Sequence, residues 1–323
     1  IGFICANIEI KVHSNADETS LKASNHHQEF TMIRTTVIAT SLAIAFTSLS
    51  GAAIAQQPLT VKVYNAGAAS FNVNSTLVYG QKDAIVIDAG FTRADALRIA
   101  ANVLDSGKQL TTIYVSQADP DYYFGVEALK EVFPQADVVT TPAVLGKLAP
   151  KLAGKVAFWG PKMGANAPRK PVVPRALEGN TLTLEGQTIE IRGTQGLLAH
   201  RPYAWIPSIK AVVGNIGVFG NTHVWTADTQ TAAERAAWVA QLDEMAALKP
   251  ELVIPGHMKA GTKVDASTIA FTKDYLLTFE KNLAANKTSA TLIPAMKQAY
   301  PALTDGGLSL DIGAKVNTGE MKW

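Results

Sequence analysis

The stretch Val115-Ser116-Gln117-Ala118-Asp119-Pro120-Asp121-Tyr122-Tyr123-Phe124-Gly125 decides how the rest of the chain is read. The β-branched run Thr111-Thr112-Ile113-Tyr114-Val115 leads into it, and a helical pattern from Tyr122 to Phe133 leaves it. It is therefore a strand-to-helix turn that carries two carboxylates beside an amide and a phenol. Open α/β sheets gather ligands at the carboxyl ends of their strands, and this turn is such an end.

On the N-terminal side, Leu59–Tyr64, Ser75–Tyr79 and Ala84–Asp88 alternate like half-buried strands. Asp88-Ala89-Gly90 ends the third, where Asp88 reads as a turn residue or as one that orients the site. Thr92 then caps a helix reaching about Leu104. On the C-terminal side, Ala136–Thr140 is a strand and Thr141-Pro142 opens a helix. The region 155–177, rich in Pro, Gly, Lys and aromatic residues, lacks clear periodicity and is expected to be a mobile cover or a substrate-facing insertion. Thr181–Leu184 and Thr188–Ile191 flank a hairpin turn, and Tyr203–Ile206 and Ala211–Gly214 are further strands. A long amphipathic helix over 231–248, a buried strand Glu251–Ile254 and helices over 266–285 and 290–299 complete the pattern, with a loop-like tail from Asp305. Strands first, then strands interleaved with helices in two similar halves, predict two sheets packed face to face with helices outside.

Composition narrows the function classes. The chain of 323 residues is 47% hydrophobic and 17% charged, with a net charge of +2 and no basic block, which argues against a nucleic-acid partner. Residues 1–31 are irregular and hold the sole cysteine, Cys5; they read as upstream sequence outside the fold. From Met32, a positive Arg34, an apolar run Val37–Phe46 and the small-x-small signal Ala53-Ile54-Ala55 have the layout of a secretory signal peptide over 32–55. Hydroxyl residues interrupt that run, so it is not a stable membrane anchor. The expectation is a single exported domain, residues 56–323, periplasmic or secreted. It contains no cysteine and only His200, His223 and His257.

With these residues in place, the chain resembles the metallo-β-lactamase superfamily. Its Ile87-Asp88-Ala89-Gly90 strand end, its Ser116-Gln117-Ala118-Asp119-Pro120-Asp121-Tyr122 turn, its Gly214-Asn215 and its Ile254-Pro255-Gly256-His257 follow the family's order of motifs. The resemblance implies an αββα sandwich of two mixed β-sheets, with the site on one edge between them. It also implies ligand positions, and there this chain departs from the family. Gln117 and Asp119 stand where the first two histidines belong, Asp121 matches the family aspartate, and Tyr122 replaces the histidine after it. Asn215 replaces a bridging carboxylate, His257 keeps the terminal histidine, and either His200 or Gln195 falls near the intermediate position.

Such a donor set is mostly oxygen, and oxygen donors suit hard cations rather than the imidazole-rich sites of zinc. If a divalent metal is bound, Ca²⁺, Mn²⁺ or Mg²⁺ is expected in preference to a di-zinc pair, held by Asp119, Asp121 and His257. Asp119-Pro120-Asp121 is equally a good helix-start sequence, since aspartates favour helix N-termini. Tyr122 reads as a packed aromatic or as a donor to a developing oxyanion. His223 reads as a pocket residue beside Trp225, where it or Tyr122 would assist the leaving oxygen, or as part of a structural loop. The resemblance implies a hydrolase acting on a small-molecule ester or lactone, acyl-homoserine lactones (quorum quenching) among them. The alternative is a ligand- or partner-binding protein that has lost metal chemistry.

Overall fold

Side-chain alternation along the strands sorts the apolar residues of this chain into three layers. In the computed structural model, which describes residues 6–11, 57–304 and 307–323, the elements in chain order begin with β1 (Ala6–Lys11), β2 (Thr60–Asn65), β3 (Asn74–Tyr79) and β4 (Asp83–Ile87). Next come α1 (Arg93–Ser106), β5 (Gln109–Tyr114), α2 (Pro120–Tyr123), α3 (Val126–Val132), β6 (Asp137–Thr140), α4 (Pro142–Met163) and β7 (Arg175–Ala176). The second half holds β8 (Thr181–Leu184), β9 (Gln187–Arg192), β10 (Tyr203–Ile206), β11 (Ala211–Val213), β12 (Phe219–Gly220) and α5 (Ala232–Ala247). It closes with β13 (Leu252–Val253), β14 (His257–Met258), α6 (Ser267–Ala285), α7 (Ser289–Ala299) and α8 (Leu308–Asn317).

Strands β1 to β7 lie in sequence order in one seven-stranded sheet, antiparallel as far as β4 and parallel from there on. The second sheet runs β13-β11-β10-β9-β8, and β12 pairs with β14 in a short parallel ladder. Along β4, Ile85 and Ile87 point into the space between the two large sheets, where Val61, Val63, Ile189, Ile191, Ala204, Ile206 and Val213 meet them. Ala84 and Val86 point the other way, to a core shared with Ile99, Val103, Leu129 and Leu148 of α1, α3 and α4. Trp205 and Val212 face a third cluster built with Trp238, Leu242, Tyr275 and Leu292 of α5, α6 and α7. The order helix, sheet, sheet, helix is the αββα sandwich expected. Truncating a side chain of the middle layer such as Ile87 to Ala costs about 2–5 kcal/mol.

Four expectations are corrected. Residues 6–11, set aside with the leader, pair antiparallel with β2 as an edge strand; the rest of 1–31 and the signal segment 32–55 lie outside the described residues. The single helix from Tyr122 to Phe133 is two, α2 and α3. Gly125, between them, donates its N–H to Gly90 O at 3.0 Å, and a Cβ there would meet Ala89 O at 2.0 Å. The region expected to be a mobile cover or a substrate-facing insertion starts inside α4, which continues to Met163 through Pro150 and Pro161, so its first part is a packed helix and not a mobile segment. Its inward stripe, Val144, Leu148, Leu152, Val156, Trp159 and Met163, follows the i, i+4 rule once the intervening Gly and Pro are discounted. The loop-like tail is the helix α8, with Leu310, Ala314 and Val316 buried. Among the described residues, no helix is long and apolar enough to cross a membrane.

Candidate functional site

The strand ends expected to carry the site do converge, and Asp88 is what ties two of them together. It follows β4 with φ 67°, a left-handed backbone that Asp tolerates better than most residues. Its carboxyl oxygens accept from Ser116 N at 2.7 Å and Ser116 Oγ at 2.8 Å, which fixes the loop leaving β5 against the loop leaving β4. Burial pushes the Asp88 carboxyl up to about 8 despite both bonds. Of its two sequence roles, orienting the site loop is the one its contacts perform.

Asp121 and His257 meet at the centre. His257 starts β14, opposite Phe219 of β12, and its ring stacks on the Phe219 ring at 5.3 Å. Its Nδ1 lies 2.9 Å from the carbonyl of Phe71. A carbonyl only accepts, so Nδ1 carries the proton and the Nε2 lone pair points away from Phe71. Nε2 faces Asp121 Oδ2 at 3.5 Å. Burial, with repulsion from Asp119 next, holds the Asp121 carboxyl well above the usual carboxylate range, and burial pushes His257 down to about 4. Both shifts favour a neutral pair over an ion pair, with the His257 lone pair turned toward the Asp121 carboxyl.

Tyr122 packs edge-on to His257 at 5.7 Å between ring centroids and is fully buried. Its hydroxyl donates to Asn215 O at 3.3 Å, and its own carbonyl accepts from Ala89 N at 2.8 Å. The Asn215 side chain is a turn fastener: Nδ2 donates to Ile254 O at 2.9 Å and Oδ1 accepts from Val218 N at 2.9 Å. Gln117, also buried, donates Nε2 to Pro202 O at 2.9 Å and so ties the site loop to the start of β10.

The remaining expected residues are engaged in other contacts or, among the described residues, point to no shared centre. Asp119 is half-buried and holds Lys155 of α4, with Nζ 3.2 Å from Oδ1; the same ammonium donates to Ala118 O at 2.8 Å. His200 is half-buried and pushed down to about 4 by burial and then by the neighbouring Arg201 charge. Gln195 is exposed. His223 is buried against α6, its Nδ1 3.0 Å from the Tyr275 hydroxyl.

Three contributors lie beyond what sequence reasoning named. Lys155 was hidden in the region expected to be a loop. Phe71, which orients His257, belongs to a short turn after β2 with no motif of its own. Arg201 directly follows His200 and is buried with its guanidinium 4.6 Å above the Trp238 ring. An arginine ahead of a strand carries no sequence signal of burial.

The resemblance to the metallo-β-lactamase superfamily implies a divalent metal, which would need a converging set of donors. Among the described residues, no three His, Cys, Asp or Glu side chains converge on a point. His257 Nε2 and an Asp121 oxygen are close enough to serve one ion, but Asp119, the third expected donor, is neutralised by an ammonium. Two donors beside a lysine do not fit a tightly held divalent cation, for which three or more protein ligands are usual. The expected set of Asp119, Asp121 and His257 is thus not assembled as a ligand cluster.

Comparison with known proteins agrees with the architecture. Residues 69–208 match the family described as the metallo-beta-lactamase superfamily. No curated protein matches the chain. Among solved structures, a beta-lactamase domain protein from Burkholderia ambifaria aligns with a TM-score of 0.54 at 14% identity, covering 80% of this chain and 85% of that one. A metallo-beta-lactamase family protein from Thermus thermophilus aligns at 0.54 and 14%, covering 76% and 86%. The DIM-1 metallo-beta-lactamase, in a crystal exposed to ceftazidime, aligns at 0.51 and 18%, covering 69% and 94%. At such identities the likeness concerns the fold. The matched segment, residues 69–208, contains the Asp88 clamp and the whole Ser116–Tyr122 turn and resembles the metallo-beta-lactamase superfamily; the sandwich around it has the metallo-β-lactamase fold.

Proposed function

We propose that this protein is an exported hydrolase that opens an ester or lactone bond, with the Asp121–His257 pair moving the proton. The observation that carries this reading is the 3.5 Å contact between Asp121 Oδ2 and His257 Nε2, with Nδ1 anchored on Phe71 O. A carboxyl that burial raises above the ordinary carboxylate range suits both halves of such a reaction. In its ionised form Asp121 takes a proton from an attacking water as the water oxygen bonds to the carbonyl carbon. The same proton then goes to the leaving alkoxide oxygen as the ester bond breaks. An alkoxide needs less assistance than an amine, which favours an ester or lactone over an amide. Trp159, 5.7 Å from Phe71 and 5.2 Å from Phe91, provides an apolar wall for a small organic substrate. Quorum quenching through acyl-homoserine lactones is one form this activity takes, and the signal-like sequence of 32–55 supports a periplasmic or secreted location.

The assay is hydrolysis of phenyl acetate and of an acyl-homoserine lactone, with chelator and then with added Ca²⁺, Mn²⁺ or Zn²⁺. Chelator-resistant activity that falls about 100-fold or more in Asp121→Asn is the expected result. Activity unchanged in that variant would sink the reading. Activity lost with chelator and regained with Ca²⁺ or Mn²⁺ would instead restore the hard-cation centre of Asp119, Asp121 and His257. The closure of Asp119 by Lys155 favours a second reading, a binding protein without chemistry. Ligand affinity with no turnover of any ester is its signature.

A further inference from the structure

Arg201 is a buried guanidinium, 4% exposed, and its Nε and Nη2 hydrogens have no partner among the described residues. A buried charge is normally paired, and leaving such donors unsatisfied is costly. Nε–H and the Nη2–H beside it form one straight edge of the guanidinium, the edge that takes a carboxylate through two parallel bonds.

The acids that act most strongly on Arg201 each have other partners. Asp228, Asp119 and Glu234 are the three whose charges act on it. Asp228 accepts from Trp225 Nε1 at 2.6 Å and from Trp323 Nε1 at 2.8 Å. Asp119 holds Lys155. Glu234 closes the capping box at the start of α5 with Thr231. The backbone around the arginine is pinned as well: Gln241 Nε2 donates to Arg201 O at 3.0 Å, and Gln117 Nε2 to Pro202 O at 2.9 Å. The guanidinium is thus held in place with its fork empty. The Gln117 bond to Pro202 O ties the residue directly after Arg201 to the loop that carries Asp121, so the arginine is anchored to the site loop.

We infer that Arg201 is an anion-recognition residue of this site, and that its empty Nε/Nη2 fork takes a carboxylate of the small-molecule substrate. The inference rests on the hydrolase reading for the word substrate, but binding alone tests it. A fixed guanidinium would then supply the positive charge that a metal supplies in other members of the fold. It moves the substrate class from neutral lactones to esters or lactones that also bear a carboxylate. Arg suits this role better than Lys because its planar fork matches the two carboxylate oxygens.

The test uses the full chain and benzoate as probe, with benzamide as the neutral control and inorganic phosphate as the tetrahedral anion. A ligand that binds only the folded state raises the melting temperature with concentration. Benzoate should raise it and benzamide should not. Arg201→Met removes an unpaired buried charge, so its unliganded melting temperature should equal or exceed that of the parent, and the benzoate response should vanish. Arg201→Lys keeps the charge without the fork and should weaken benzoate about tenfold or more. An equal benzoate response in Arg201→Met overturns the inference, as does the absence of a benzoate response in the parent. Phosphate displacing benzoate at lower concentration overturns the carboxylate assignment. Benzoate binding without ester opening sinks the hydrolase reading alone; ester opening without a benzoate response sinks this inference alone.

Discussion

His257 Nε2 and Asp121 Oδ2 face each other at 3.5 Å, and the Phe71 carbonyl fixes which of them carries the proton. With Nδ1–H donated to Phe71, a neutral imidazole has only its lone pair to offer Asp121. Burial favours that arrangement over an ion pair, because two separated charges would both have to leave water. Nitrogen NMR of His257 should show the Nδ1–H tautomer at neutral pH, with the ring protonating only near its lowered value of about 4. The unfolded chain binds the same proton near 6.5, so this histidine withdraws stability as pH falls from about 6.5 through about 4. An imidazolium already present at about pH 6 would contradict the neutral pair.

Asp88 acts in the opposite sense. Its carboxyl is raised from 3.8 to about 8, so the folded chain holds this proton more tightly than the unfolded chain. Its contribution is intact below about pH 4 and drains away as pH rises through about 8. Asparagine accepts the φ of 67° and keeps an oxygen for Ser116 N, while its amide donates to Ser116 Oγ. Asp88→Asn should flatten the thermal stability profile over that window and melt above the parent at about pH 9, by about 2–4 °C for each kcal/mol recovered. Parallel profiles for the two proteins would show that Asp88 is not the titrating group.

Gly256 is where backbone, rather than a side chain, sets the site. A Cβ there would sit 2.2 Å from Asn215 O and 2.5 Å from Tyr122 Oη. Gly256→Ala should cost about 1–3 kcal/mol by denaturant unfolding, since the Asn215 carbonyl cannot step aside. Tyr122→Phe alone, which removes the 3.3 Å bond to Asn215 O, should cost about 0.5–1.5 kcal/mol. Adding Tyr122→Phe to the Gly256 variant should recover only part of its loss. Full recovery would mean that the phenol, not the Asn215 backbone, is the obstacle.

These contacts also mark what was legible beforehand. Period-two alternation in Ala84-Ile85-Val86-Ile87 is local, and it placed β4 and its neighbours correctly because each residue's burial follows from its own strand face. Helix α4 was legible only to its start, since Gly154, Gly160 and Pro161 blur a stripe that packing keeps intact. The tail helix α8 was missed for a related reason: a short helix draws its stability from a partner surface, here the third core, and not from its own propensity. At the site, motif order alone pointed to Asp121 and His257. Lys155 against Asp119 and the buried Arg201 are pairings and burials between distant segments, and no single-chain pattern encodes them.

The Lys155–Asp119 ion pair yields the sharpest statement about metal. Nζ lies 3.2 Å from Asp119 Oδ1 and donates to Ala118 O, so an ammonium sits on the carboxylate that a third ligand would need. Two unit charges about 4 Å apart at a protein surface interact by about 4 kcal/mol, which opposes a second cation beside the first. The parent should therefore bind Ca²⁺ and Mn²⁺ weakly in titration calorimetry and lose them on dialysis. Lys155→Ala removes the competing charge from a half-buried position and leaves Asp119 anionic. The variant should bind Mn²⁺ at least about tenfold more tightly than the parent, a change of only about 1.4 kcal/mol. Equal weak binding by both proteins would show that Asp119 does not turn toward the Asp121–His257 pair even when free. In that case the positive charge of this site belongs to the side chains alone.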